Sequence, residues 1–410
     1  HGTPITAIDF IRRSLAAQTS ELARIRTLAE FAKLLDSSGY QGQAVSFLER
    51  LLTEGRVEGA PRLKATVLLS LASVQRKSGG LGEDFALERL EQALNLLQPR
   101  GLNSRDIPLL LVLADLRLKK GKTALAADAY ETAIGISEQF RAALASESAR
   151  LAFLEKDPTH VMNYQIAIGG MFAAADKDPS FLERAFAAAE KARARVLLES
   201  LRGADLEREG PLRKDETALT QRLAMMAQKG LEEGWSTEDG IAFTSLQERL
   251  VRLGDQIRAQ DPQYASLRYG QPSGLKEVEA ALKPGEAFVS YKFAGRDQAA
   301  WAFLLQPGKA RLVRLYAGEA LSAARNLPPP EPRRPTEVWE AVPERLGRAL
   351  WSPFDAELAD AKKVFIVPDG ELWTVPWSVL ESSGKPLLDK PYTLQVVPSG
   401  SVLVQLRKVK

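Results

Sequence analysis

The sequence predicts an N-terminal solenoid of stacked α-helical repeats followed by part of an α/β sandwich. Three observations carry this. From about Ile5 to Leu201 proline is sparse, alanine and leucine are plentiful, and apolar residues recur at spacings of three and four, the period of amphipathic helices. After Pro262 the period shortens to that of strands. Val364-Phe365-Ile366-Val367 is short and apolar throughout, as the centre of a parallel sheet covered on both faces requires. A chain of 410 residues is also too long for one ordinary hydrophobic core, so two or three domains are expected.

The helical part contains an internal register. Ala32, Gly39, Ala44, Leu48 and Leu51 are separated by 7, 5, 4 and 3 positions, and Ala114, Gly121, Ala126, Tyr130 and Ala133 repeat those offsets. Ala72 and Gly79 open a third copy, completed by Ala86, Leu90 and Ala93 after a two-residue insertion. Two antiparallel helices approach closely only where small residues sit at their crossing, and a glycine closes the turn between them. One such pair cannot bury its own apolar face, so copies must stack. The pattern resembles a degenerate tetratricopeptide repeat, without that family's aromatic and proline positions and with copies about 40 rather than about 34 residues apart.

A further amphipathic helix runs from Phe181 to Leu201, with Leu182, Ala185, Phe186, Ala189, Val196 and Leu197 on its apolar side. The charged stretch Gly203 to Glu216, with Gly210-Pro211, reads as a linker. Leu246, Leu250, Leu253 and Ile257 mark one more helix, ending before Pro262. Ala287 to Phe293 and Ala299 to Leu305 form a hairpin around Gly295-Arg296-Asp297, and Arg311 to Tyr316 alternates as a third strand. The proline run Pro328 to Pro335 reads as an extended connector in preference to a docking segment. A helix from Val338 to Leu350, the Val364 strand and a last strand, Tyr392 to Val397, complete the order.

Composition removes most familiar chemistry. The chain has no cysteine, which excludes disulfides, thiolate zinc sites and a cysteine nucleophile within it. Histidine occurs only at His1 and His160. A net charge of +3 gives no general reason to expect nucleic acid or an anionic membrane, and no apolar run reaches the roughly 18 to 20 residues of a membrane span. His1-Gly2-Thr3-Pro4 shows neither an initiator Met nor a signal pattern, so a trimmed or replaced N-terminus is expected; localisation is not read from it, with a cytoplasmic setting favoured. Gly121-Lys122-Thr123 has the end of a phosphate-binding loop but carries Leu116 where that loop needs glycine, and Ser78-Gly79-Gly80-Leu81-Gly82 reads as a turn between helices. His160 reads as structural, and Asp369-Gly370 as a turn in preference to a carboxylate pair with Glu371.

An ordered set of segments resembles the CHAT domain, a caspase-like peptidase module often fused to tetratricopeptide repeats and distantly similar to separase. These are the helix Ala189 to Leu201, Asp261-Pro262-Gln263-Tyr264-Ala265-Ser266-Leu267, Leu282-Lys283-Pro284-Gly285-Glu286-Ala287, the strand and turn Val364 to Leu380, and Val397-Pro398-Ser399-Gly400-Ser401. The resemblance implies a caspase-like α/β sandwich and a cysteine endopeptidase with a His/Cys dyad located downstream of the Pro-Ser element, past Lys410. No catalytic, cofactor-binding or metal-ligating residue is therefore assigned, and no cofactor is expected. The expected organisation is TPR-like repeats over 1–202, a linker with connecting helices over 203–262, and the first, non-catalytic half of a CHAT domain over 263–410. The expected partners are a protein or peptide in the repeat groove and a C-terminal fragment carrying His and Cys. The alternative is a non-catalytic scaffold or adaptor with a pseudo-peptidase domain.

Overall fold

The computed structural model describes residues 38–53, 57–142, 158–202, 211–232, 237–260, 272–295, 299–316 and 337–408, with isolated positions at 13, 27, 31–32, 34–36, 318 and 322. The expected connector at 328–335, the segment 261–267 and the 203–210 part of the linker lie outside these residues. The chain divides into two compact units: residues 1–142 with 225–241, and residues 143–224 with 242–410.

Within the first unit, helices α1 (Gln41–Thr53), α2 (Pro61–Gln75), α3 (Leu81–Leu97), α4 (Ile107–Lys119) and α5 (Thr123–Ala142) follow one another through short turns. Gly39, Gly79 and Gly121, one in each copy of the sequence register, have φ of 80°, 65° and 75°, the left-handed region in which a side chain is strained. The register's alanines are packing positions: Ala44, Ala72, Ala86, Ala93, Ala114, Ala126 and Ala133 are fully buried, and Leu48, Leu90 and Tyr130 lie beside them. In the second and third helix pairs the first helix is the enclosed one. Nothing on α2 is exposed, and on α4 only Pro108 and Lys119 are, so the accessible side chains belong mainly to α1, α3 and α5. Arg117 of α4 stitches the array, donating to Glu91 of α3 and to the Leu125 carbonyl of α5.

The second unit is built on a five-stranded sheet of order β3-β2-β1-β4-β7, with β1 Glu286–Ala294, β2 Ala299–Gln306, β3 Lys309–Leu315, β4 Lys363–Val367 and β7 Thr393–Val396. A small separate hairpin pairs β5 (Glu381–Ser382) with β6 (Lys385–Pro386). β1, β2 and β3 form an antiparallel meander, while β4 runs parallel to both β1 and β7. β4 is thus an interior strand buried on both faces, as its unbroken apolar sequence demands.

Alternation along β1 feeds two cores. Ala287, Val289 and Tyr291 point with Val364 and Ile366 into a layer closed by Leu346, Leu350, Trp351, Phe354 and Trp377. Helix α11 (Glu337–Leu350) supplies part of that layer, and its Gly347 lies so close to the Glu381 backbone that a Cβ would overlap it. On the opposite face, helices α6 (Pro158–Lys177) and α7 (Leu182–Arg202) cover the sheet. Their Phe172 and Phe186 pack edge-on or tilted on Trp301, Phe303 and Phe288, with ring centroids 5.2–6.4 Å apart. Two shorter helices, α10 (Leu275–Ala280) and α12 (Gly400–Lys408), complete this face, α10 through buried Val278.

The expected boundary after residue 202 does not coincide with this division. Periodicity showed that α6 and α7 each have an apolar face, but their aromatic residues belong to the sheet, not to the repeats. The segment read as a linker carries two long helices, α8 (Pro211–Glu232) and α9 (Thr237–Gln260). Leu246, Leu250, Leu253 and Ile257 of α9 pack with Leu212 and Leu219 of α8, as their spacing predicted. No helix among the described residues is long and apolar enough to cross a membrane.

Replacing Ala126 with Leu should overpack the α4–α5 crossing and lower stability by about 1–3 kcal/mol. Thermal denaturation measures it, and an unchanged melting temperature would remove the assigned register.

Candidate functional site

In open α/β sheets, functional groups gather beyond the carboxyl ends of the parallel strands. Here β4 ends beside Ser290 while β1 runs on to Ala294, and polar side chains near that end are organised in two clusters. The first comes from β1 itself. Lys292 interrupts an apolar strand and is 6% exposed, so its ammonium requires an internal partner. Asp369, two residues beyond β4, supplies it: its carboxylate oxygens accept from Lys292 Nζ at 2.9 and 3.1 Å and from the Phe293 N–H at 2.9 Å. Gly370 follows with φ of 53°, which lets the chain turn back immediately. Asp369-Gly370 is the turn that the sequence indicated, and the ion pair closing it onto β1 is the part that the sequence did not reveal.

The second cluster joins segments more than two hundred residues apart. Glu190 of α7, with no exposed surface, accepts from the Ser401 N–H at 3.0 Å and the Ser401 hydroxyl at 3.1 Å. Its other oxygen takes Arg193 Nη1 at 3.1 Å, while Arg193 Nη2 donates to the Tyr291 carbonyl of β1. The Ser401 hydroxyl also accepts the Ser273 N–H at 2.8 Å, just before α10. Ser399 begins α12 by accepting the Val402 N–H at 3.1 Å. Between these serines, Gly400 is forced by space: a Cβ there would press on Val278, Glu190 and Phe288. Pro398-Ser399-Gly400-Ser401 therefore starts a helix and docks that start on the buried carboxylate of α7.

A third anchor holds the other end of α12. Arg407 Nη2 reaches both oxygens of Glu286 at 2.5 and 2.6 Å, and the guanidinium lies over the Phe365 ring at 5.5 Å. Burial pushes the Glu286 carboxyl up, but the Lys283 N–H, the Arg407 hydrogen bond and the charges of Arg407 and Lys363 outweigh it and hold the group below the usual carboxylate range. On the opposite face, burial pushes the Tyr392 phenol up to about 12, even though it accepts the Trp351 indole N–H at 2.9 Å.

These arrangements tie distant segments of the second unit together. Ser399 makes the helix-start bond, and the Ser401 hydroxyl donates to Glu190 and accepts from Ser273. Among the described residues, no group of three His, Cys, Asp or Glu could hold a metal ion. The other motifs sit away from this end. Gly121-Lys122-Thr123 and Ser78 to Gly82 span helix turns, and His160 falls in the first turn of α6. Sequence reasoning missed Glu190, Arg193 and Lys292 as a set. Their signal was one charge within an otherwise apolar helix face or strand, which indicates a buried partner without naming it.

Residues 340–410 match the CHAT domain family model, covering α11, β4, the turn at Asp369, β7 and α12. No curated protein matches the chain.

Two outcomes follow from this geometry. Removing Glu190 strands a buried guanidinium, so Glu190→Ala should cost about 3–5 kcal/mol, and Ser401→Ala, which removes only hydroxyl bonds, about 1–3 kcal/mol. Denaturant titration measures both, and equal losses would contradict the central place given to the carboxylate. The Glu286 contribution is fully present above the ordinary carboxylate range and is lost as pH falls through its lowered folded-state value. Glu286→Gln should accordingly flatten the acid limb of the stability–pH curve, and a limb of unchanged steepness would count against this ion pair.

Proposed function

We propose that this chain is the recognition and structural portion of a CHAT-type, caspase-like cysteine endopeptidase. The helix pairs of the first unit are tetratricopeptide-like repeats that stack as a solenoid and bind a protein or peptide partner. The sheet of the second unit is the non-catalytic part of the peptidase module, and a separate segment supplies the His/Cys dyad.

The observation that carries this reading is the contrast between the two sheet edges. Edge strands that must stay unpaired are commonly protected by charge. β3 carries Lys309, Arg311 and Arg314, all exposed, with Arg311 tied to Glu357 at 2.6 Å. β7 is Thr-Leu-Gln-Val, with no charge and three of its four residues exposed. Its outer edge pairs with no strand among the described residues. An uncharged, solvent-facing edge within the matched segment 340–410 suits the addition of further strands, and those strands would bring the catalytic groups.

A scaffold with a pseudo-peptidase domain is the second reading, favoured by the absence of cysteine and by the structural use of Ser399 and Ser401. The two readings agree that the isolated chain hydrolyses no peptide. They differ in what accompanies it. Native isolation from the source followed by mass spectrometry should reveal a strand-forming polypeptide with His and Cys held to this chain. A single species lacking both groups would sink the peptidase reading and leave the scaffold.

A further inference from the structure

Helix α12 is short, lightly embedded and fastened at its two ends. Its nine residues, Gly400–Lys408, fall below the roughly 12 to 15 that a helix needs to persist alone in water. Past Gly400, its buried side chains among the described residues are Leu403 and Val404, while Gln405 is exposed and Leu406 is 57% exposed. β4, by contrast, buries every residue after Lys363. An element with so few buried apolar side chains has low local stability and opens before the core strands of its unit.

The bonds that fasten it are polar, and their acceptors belong to other elements. At the start, Glu190 of α7 accepts the Ser401 N–H and hydroxyl, and a carboxylate at a helix N-terminus is favoured by the dipole. In the last turn, Arg407 reaches both oxygens of Glu286 on β1. The floor between the two acids is apolar: Gly400 lies against Val278 and Phe288, and the Arg407 guanidinium lies over Phe365, all three side chains being buried. The seat is therefore a groove with a carboxylate at each end. Its acids keep partners of their own when α12 leaves, Glu190 with Arg193 and Glu286 with the Lys283 N–H, so the groove does not depend on its occupant.

We infer that α12 is a displaceable helix: it leaves this groove as one unit while the sheet stays folded, and the groove then takes the α12 of a second copy of this chain. That helix carries the features that the seat reads, with Gly400 and Ser401 at its start, Leu403 and Val404 in its middle and Arg407 in its last turn. Exchange of an identical element between copies reproduces every contact and is a low-cost route to association.

Hydrogen exchange read by mass spectrometry on the full chain should show 400–408 opening ahead of β1 and β4. Ser401→Ala combined with Arg407→Gln should speed exchange at 400–408 by about tenfold or more and leave β1 and β4 unchanged. A fluorescein-labelled peptide of residues 398–408 should bind this double variant, and should bind the unaltered chain about tenfold less well, because the resident helix competes at high effective concentration. Arg407→Gln in the peptide should weaken capture, whereas Gln405→Ala, at an exposed position, should leave it unchanged. If the double variant also loosens β1 and β4, Arg407→Gln alone carries both measurements with the same expectations. Exchange of 400–408 in step with β1 and β4 in the unaltered chain, no capture of the peptide by the variant, or equal capture by both chains would overturn the inference. The peptidase reading is decided separately, at the β7 edge, by what co-isolates with the chain.

Discussion

The second unit depends on one buried carboxylate. Glu190 lies where helix α7, the strand β1 and the start of α12 converge, and through Arg193 and Ser401 it bonds to two of them and to the loop before α10. Such a pair is an expensive way to hold segments together, since both charges must leave water and an apolar core of equal volume is often as stable. What it supplies is geometry. An apolar contact tolerates sliding, whereas a carboxylate that accepts the N–H and hydroxyl of one residue fixes α12 in one register against the sheet. Gly400, which has no room for a methyl group, shows how close that approach is.

The two ends of the sheet order themselves by the same logic. At the carboxyl end of β1 and β4, Asp369 draws the turn back onto Lys292, and on α12 Arg407 reaches Glu286 at the start of β1. Two ion pairs, each joining segments distant in sequence, thereby mark the two ends of β1. The apolar layers between them come from ordinary alternation along β1 and β2, and the aromatic contacts of Phe172 and Phe186 fill the face below α6 and α7.

Much of this was legible in the chain. The register of alanines and left-handed glycines located the helix turns, because close helix crossings and positive φ leave few residue choices. The strands β1, β2, β3 and β4 were visible as changes of period, and the Asp369-Gly370 turn by its composition. The attachment of α6 and α7 to the sheet was not, since an amphipathic pattern reports that a face is buried and stays silent about its partner. The polar clusters were hidden for a related reason. Glu190 and Ser401 are neighbours only in space, and a lone buried charge carries no record in the sequence of the group that neutralises it. Ser399 and Ser401 lie within the segment that matches the CHAT family model and Glu190 lies outside it, so the bond between Glu190 and Ser401 emerged only from the fold.

Tryptophan placement gives the two units different optical signatures. Among the described residues the tryptophans, Trp301, Trp339, Trp351, Trp373 and Trp377, all lie in the sheet-bearing unit. Trp301, Trp351 and Trp377 are buried beside the strands, with Trp351 and Trp377 6.4 Å apart and Trp377 stacked near Tyr291. Indole emission therefore follows the sheet-bearing unit, while far-ultraviolet dichroism reports the helices of both units. The pair of signals makes cooperativity between the units an observable: coincident transitions mean that they melt as one, and separated transitions mean that each has its own stability.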